Sequence, residues 1–122
     1  MEKGLFCGIN RPKDATNLSE LEKKHVPVIE SPDKVKAGEP FKVTVKVGSI
    51  PHVMETGHHI QWIDIYSSEN FLAKVLLTPV FTRAEVTVTL VKGGAHKTSK
   101  LRAVERCNLH GAWESSKVLV IE

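Results

Sequence analysis

Cysteine is scarce in this chain, with two residues among 122, and so are methionine, also with two, and aromatic side chains, at 6%. Two thiols at opposite ends, Cys7 and Cys107, exclude a disulfide-dense scaffold and a four-cysteine metal site. Few rings mean that a core must rest on Val, Ile and Leu. No apolar run approaches the roughly eighteen residues of a membrane span. The start, MEKGLFCGINRPKD, has no apolar h-region and no small-residue cleavage site. A cytoplasmic protein is therefore expected, and there two reduced thiols are the default. The net charge of +3 is mild and the lysines are interleaved with acids, which argues against nucleic-acid binding. A modest positive field still favours a small anionic substrate.

The chain length fits one domain. Residues 1–24 lack periodicity and read as an irregular N-terminal arm, with one helical turn at NLSELEKK that Asn17 or Ser19 can cap. From His25 to residue 122 the signals are those of strands. FKVTVKV (41–47) alternates strictly, with Phe41, Val43, Val45 and Val47 on one face. HIQWIDIY (59–66) and FLAKVLLT (71–78) flank the turn SSEN. AEVTVTLV (84–91) is followed by a hairpin-type loop, KGGAHKTS (92–99). KLRAVERC (100–107) and KVLVIE (117–122) complete the set, and VPVIE (26–30) supplies a short first strand. About seven short strands with turns between them predict an all-β, immunoglobulin-like β-sandwich or barrel.

Against this plain background the histidines are concentrated. IPHVMETGHHIQWI carries His52, His58 and His59, and CNLHGAWE carries Cys107 and His110. Pro51 and Gly57 make the first stretch a loop able to curl imidazoles toward one point, and Cys-x-x-His in a turn is a common chelate. His25, just before Pro27, is a further candidate. A single loop histidine is most often a surface residue, and a single cysteine is most often a small core residue. Adjacent strand residues face opposite ways, so at most one of His58 and His59 binds. One thiolate with three or four imidazoles nonetheless exceeds chance. A structural zinc is often closed by two or more cysteines. Blue copper needs an axial Met soon after the Cys and His; no Met follows His110, and Met54 serves only by an unusual arrangement. Four neutral imidazoles and one thiolate fit iron better, with a sixth position open for chemistry.

KHVPVIE, IPHVMETGHHIQWI and CNLHGAWE, taken together over residues 22–122, resemble the superoxide reductase family (neelaredoxin and the iron-binding domain of desulfoferrodoxin). The resemblance implies a seven-stranded immunoglobulin-like barrel and one iron ion (Fe2+/Fe3+) per chain. It assigns His25, His52, His58 and His110 as equatorial ligands and Cys107 as the axial thiolate, with His59 turned away. The implied reaction is one-electron reduction of superoxide to hydrogen peroxide, with Lys24 as the lysine that attracts the anion and organises its protonation. It further implies a rubredoxin-like electron donor and a homo-oligomer, dimer or tetramer. The alternative is a non-catalytic iron electron-transfer protein of the same fold.

Two departures stand out. Relatives often read Glu-Lys-His-Val-Pro, where the glutamate caps oxidised iron; here EKKHVP puts Lys23 at that position and Glu22 one residue earlier. In an extended segment that shift reverses the side chain, so Glu22 is expected to face away and leave ferric iron five-coordinate or solvent-bound. Cys7 alone cannot build the second, four-cysteine iron site of longer relatives, so a one-iron protein is expected.

Overall fold

The computed structural model describes residues 4–122, which hold nine strands and one short helix. In chain order these are β1 (Ile9–Asn10), α1 (Glu20–His25), β2 (Pro27–Glu30), β3 (Lys34–Val35), β4 (Phe41–Val47), β5 (Ile60–Ser67), β6 (Asn70–Leu76), β7 (Glu85–Leu90), β8 (Thr98–Cys107) and β9 (Gly111–Ile121). One sheet runs β1-β9-β8-β5-β6 with β3 also on β9, and the other runs β2-β4-β7. The two strands beyond the expected seven are the two-residue β1 and β3, both parallel to β9.

The alternating pattern of β4 is realised as read: Phe41, Val43, Val45 and Val47 are buried while Lys42 and Lys46 face water. They pack against Ile60, Ile63 and Ile65 of β5, Leu101 and Ala103 of β8, and Leu119 and Ile121 of β9. Burying each such side chain is worth about 1.5–3 kcal/mol, so this aliphatic layer replaces the missing aromatics. The β5–β8 register slips between Ile60 and Trp62, which lets both Ile60 and Ile63 point inward although they stand an odd three positions apart.

Three local readings are corrected. Residues 92–97 do not close a hairpin: β7 pairs with β4 and β8 with β5 and β9, so this segment crosses from one sheet to the other. The last strand begins at Gly111 rather than at residue 117, because Cys107 pairs with Gly111 across a three-residue turn and the ladder starts at once. The approach to His25 is the helical turn expected at NLSELEKK, capped by Ser19, and not the extended segment assumed for Glu22. Ser19 accepts from the Glu22 N–H at 3.2 Å while the Glu22 carboxylate accepts from the Ser19 N–H at 2.8 Å, a reciprocal capping box. Lys23 pairs with Glu20 one turn back, and the basic end of α1 suits the helix dipole.

The N-terminal arm is tied to the large sheet. Asn10 Nδ2 donates to the carbonyls of Leu5 and Ala112, and Arg11 reaches the buried Glu114 at 2.8 Å. Arg102 holds the other oxygen of Glu114 at 2.8 Å, so one carboxylate joins arm, β8 and β9.

Candidate metal centre

Five potential ligands come from three places in the chain. His25 ends α1; His52 and His58 lie in the β4–β5 connection; Cys107 and His110 bracket the β8–β9 turn. The helix and the first loop are pressed together at Gly48, which has φ of 84°. A Cβ there would strike the Ile50 carbonyl oxygen and stand 2.7 Å from the Lys23 carbonyl oxygen. Ile50 N–H donates to that same Lys23 carbonyl at 3.1 Å. Glycine thus permits the close approach that brings His52 to His25. Gly111, with φ of 78°, ends the three-residue β8–β9 turn and lets the backbone of Leu5 close over it.

The four imidazoles form a closed cycle. Ring centroids are 4.8 Å apart for His25–His52, 4.7 Å for His52–His58, 5.2 Å for His58–His110 and 4.7 Å for His110–His25. Each ring stands steeply to the next, at 67–82°. The ligand atoms of His25, His52, His58 and Cys107 all lie within 4.8 Å of one another. His110 falls outside that tightest group but sets its Nδ1 3.5 Å from the Cys107 sulfur. His59 enters none of these ring contacts among the described residues. Cys107 is fully buried, and Cys7 is exposed; both thiols are free.

Hydrogen bonds settle which nitrogens face inward. His25 Nδ1 lies 2.7 Å from the Leu21 carbonyl and His52 Nδ1 2.7 Å from the Val53 carbonyl. A carbonyl only accepts, so both Nδ1 atoms carry the proton and both Nε2 atoms are lone pairs. Yet these Nε2 atoms are 3.3 Å apart. Two lone pairs at that distance repel unless a cation draws on both. The buried Nε2 of His58 likewise has no partner among the described residues. This donor set fits a transition metal ion.

The surroundings favour the neutral forms of His25, His52, His110 and Cys107. Burial, opposed by the Leu21 carbonyl and aided by the Lys24 charge and the neighbouring imidazoles, lowers the pKa of His25, and burial lowers that of His52 to about 4. His110 is lowered too, by burial and then by His58. Burial pushes the Cys107 thiol up, opposed by the peptide N–H groups of Leu109 and His110. Glu105, two residues earlier on β8, is fully buried with both oxygens unpartnered among the described residues, and burial raises it to about 9. Lys24 is exposed on α1 directly before His25, and its charge contributes to the lowering of that histidine.

Both oxygens of Glu22 are engaged at the helix start: one accepts from the Ser19 N–H at 2.8 Å and the other from the Lys13 N–H at 3.1 Å. The segment is a capped helix, so the side-chain reversal expected of an extended strand does not apply to it. Two contacts had no sequence signal beyond proximity to the motif. Trp113 stacks on His25 at 5.4 Å while its Nε1–H donates to the His110 carbonyl at 3.0 Å. Asn108 bonds the loop on both sides of His58.

The sequence profile described as desulfoferrodoxin matches residues 17–116. A protein of Methanocaldococcus jannaschii is 45% identical over 119 residues, 96% of this chain and 97% of its own length. The superoxide reductase of Pyrococcus furiosus is 35% identical over 79% of this chain and 88% of its own. The solved structure of the superoxide reductase (neelaredoxin) from Ignicoccus hospitalis superposes with a TM-score of 0.81 at 38% identity, covering 93% of this chain and 95% of that one. The profile spans most of the chain, and relatives more than 30% identical cover well over two thirds of it, so the chain belongs to the desulfoferrodoxin family.

Proposed function

We propose that the chain is a superoxide reductase, which adds one electron and two protons to superoxide to give hydrogen peroxide. The observation that carries the reading is the closed ring of four imidazoles beside a buried thiol, with two Nε2 lone pairs turned toward each other at 3.3 Å. His25, His52, His58 and His110 are the nitrogen ligands and Cys107 the sulfur ligand of one iron ion per chain. Iron bound there supplies the electron by cycling between its ferrous and ferric states.

The chain's own residues do the rest. Lowered pKa values keep the imidazoles of His25, His52 and His110 neutral at pH 7, ready to donate. Carbonyl acceptors on Nδ1 orient His25 and His52 and raise their basicity as ligands. The raised pKa of Cys107 means that its proton leaves when a cation loads, so metal uptake releases a proton. Lys24, an exposed ammonium beside His25, attracts the superoxide anion and organises water for its protonation.

The reading extends to the partners. A small rubredoxin-like carrier returns the electron, the chain works in the cytoplasm, and it assembles as a dimer or tetramer. Residues 1–24 act as an arm on the iron-binding domain of residues 25–122. Two free thiols support a reducing compartment.

Metal analysis of purified protein followed by stopped-flow mixing of the reduced form with superoxide tests the proposal. Rapid second-order oxidation of the protein with one peroxide formed per iron is the expected result. An iron-loaded protein that exchanges electrons with carriers and leaves superoxide untouched is an electron-transfer protein, and that outcome overturns the proposal.

A further inference from the structure

The ladder between β5 and β8 ends at the Ile60–Cys107 pair and slips just above it, between Ile60 and Trp62. His58 and His110 lie beyond that last rung. Among the described residues the peptide of His58 bonds only to Glu55, in both directions, at 2.9 and 3.1 Å. This closes its loop on itself and makes no reference to β8. What ties the loop to Cys107 is the next residue, Asn108. Its Nδ2 donates to the Gly57 carbonyl at 3.0 Å, and its Oδ1 accepts from the His59 N–H at 2.9 Å. Its own N–H donates to the His59 carbonyl at 3.1 Å.

We propose that Asn108 is a positioning residue of the metal centre, whose carboxamide grips the peptide on both sides of His58 and sets that imidazole's reach toward the Cys107 sulfur. The inference rests on the metal centre proposed above. The chemistry asks for a carboxamide. A stretch of peptide offers one carbonyl and one N–H, and a carboxamide returns one donor and one acceptor in a single plane. The orientation of the amide is forced by its partners, since a carbonyl only accepts and a peptide N–H only donates. Aspartate keeps the acceptor for His59 but turns a second acceptor on the Gly57 carbonyl. Alanine keeps neither. Because Asn108 is bonded in sequence to Cys107, the grip fixes one ligand relative to another rather than merely ordering a loop.

The test compares full-length wild type with Asn108→Ala, Asn108→Asp and Thr44→Ala. Thr44 is a control for general stability, since its hydroxyl pairs with that of Thr87 on the solvent face of the other sheet. Three quantities are read: ferrous ion affinity by chelator competition, the thiolate-to-iron charge-transfer band of the oxidised protein, and amide exchange at His59 in metal-free protein. Asn108→Ala is expected to lose about 10–100-fold in affinity, as outer-shell partners of metal ligands do, with a shifted band and fast His59 exchange. Asn108→Asp is expected to fall between, with His59 still protected; Thr44→Ala leaves all three unchanged. Wild-type affinity and band in Asn108→Ala, or undisturbed His59 exchange there, overturns the inference. Should Asn108→Ala not fold, Asn108→Asp decides: an intermediate loss supports the grip, and wild-type affinity with an unmoved band overturns it. A wild-type chain that takes up no iron defeats the metal-centre reading itself, which is distinct from wild type and Asn108→Ala loading alike.

Discussion

The Nε2 atoms of His25 and His52 face each other at 3.3 Å while both Nδ1 atoms are occupied by backbone carbonyls. Neither ring has a proton to place between them at neutral pH, because burial holds both below their ordinary pKa. The fold therefore concentrates lone pairs at one point, and the energy of that arrangement is recovered when a cation binds. The same reasoning covers Cys107, whose buried sulfur favours the thiolate only beside positive charge.

Cys107→Ser is expected to keep the fold and lose the intense charge-transfer colour of the oxidised iron protein. Only a thiolate supplies that band, and Cys7 is exposed on the arm, outside the cluster. Visible absorption of both serine variants checks this. A coloured Cys107→Ser beside a bleached Cys7→Ser transfers the sulfur role to Cys7.

Gly48→Ala is expected to destabilise the protein by on the order of 3 kcal/mol, from positive-φ strain and the clash with the Ile50 and Lys23 carbonyls. Since this contact joins α1 to the loop of His52, metal affinity falls with stability. Denaturant unfolding of metal-free protein and chelator competition measure the two. An unchanged midpoint contradicts the packing.

Lys24→Ala is expected to slow the encounter with superoxide, by up to about tenfold, and to flatten its dependence on ionic strength. Lys23 is paired with Glu20 at 3.2 Å, so its removal has the smaller effect. Stopped-flow rates over a salt series compare the two variants. If Lys23→Ala carries the loss, the role passes to Lys23.

Glu22→Gln is expected to preserve α1, because glutamine also serves in a capping box, and to leave the ferric spectrum and azide binding unchanged. The motivation is that both Glu22 oxygens already accept peptide N–H groups, from Ser19 and Lys13. A changed ferric spectrum or altered azide affinity would show the carboxylate reaching the metal.

Glu114 ties stability to acid pH. Burial alone would raise its pKa, but the Arg102 hydrogen bond and charge, with Arg11, outweigh this and hold it below the ordinary 4.5. A depressed carboxylate contributes stability above its unfolded value, and the contribution is lost as pH falls through the folded one. Glu114→Gln is expected to cost about 1–3 kcal/mol at pH 7 and progressively less below pH 4.5. Urea unfolding at pH 7 and at pH 3.5 measures it; an equal cost at both values contradicts the ion pair.

Much of this protein was decided by short-range pattern. The alternation of residues 41–47 determined a half-buried strand, and SSEN determined the β5–β6 hairpin, where Ser67 pairs with Asn70. Ser19 followed three residues later by Glu22 carried a complete helix start, although that helix runs on to His25. The donor types and their motifs were equally legible, because ligand chemistry is written in side chains. Tertiary structure alone decided what depends on backbone partners far away in the chain. AWESS has no period of its own, and becomes strand because β8 offers it a ladder from Cys107 onward. KGGAHKTS reads as a turn whichever sheet its flanks join. The grip of Asn108 on Gly57 and His59, the stacking of Trp113 on His25 and the pressing of Gly48 on Lys23 all join residues that local propensity cannot connect. A peptide carbonyl or N–H has the same chemistry at every residue, so only the folded path tells which ones meet.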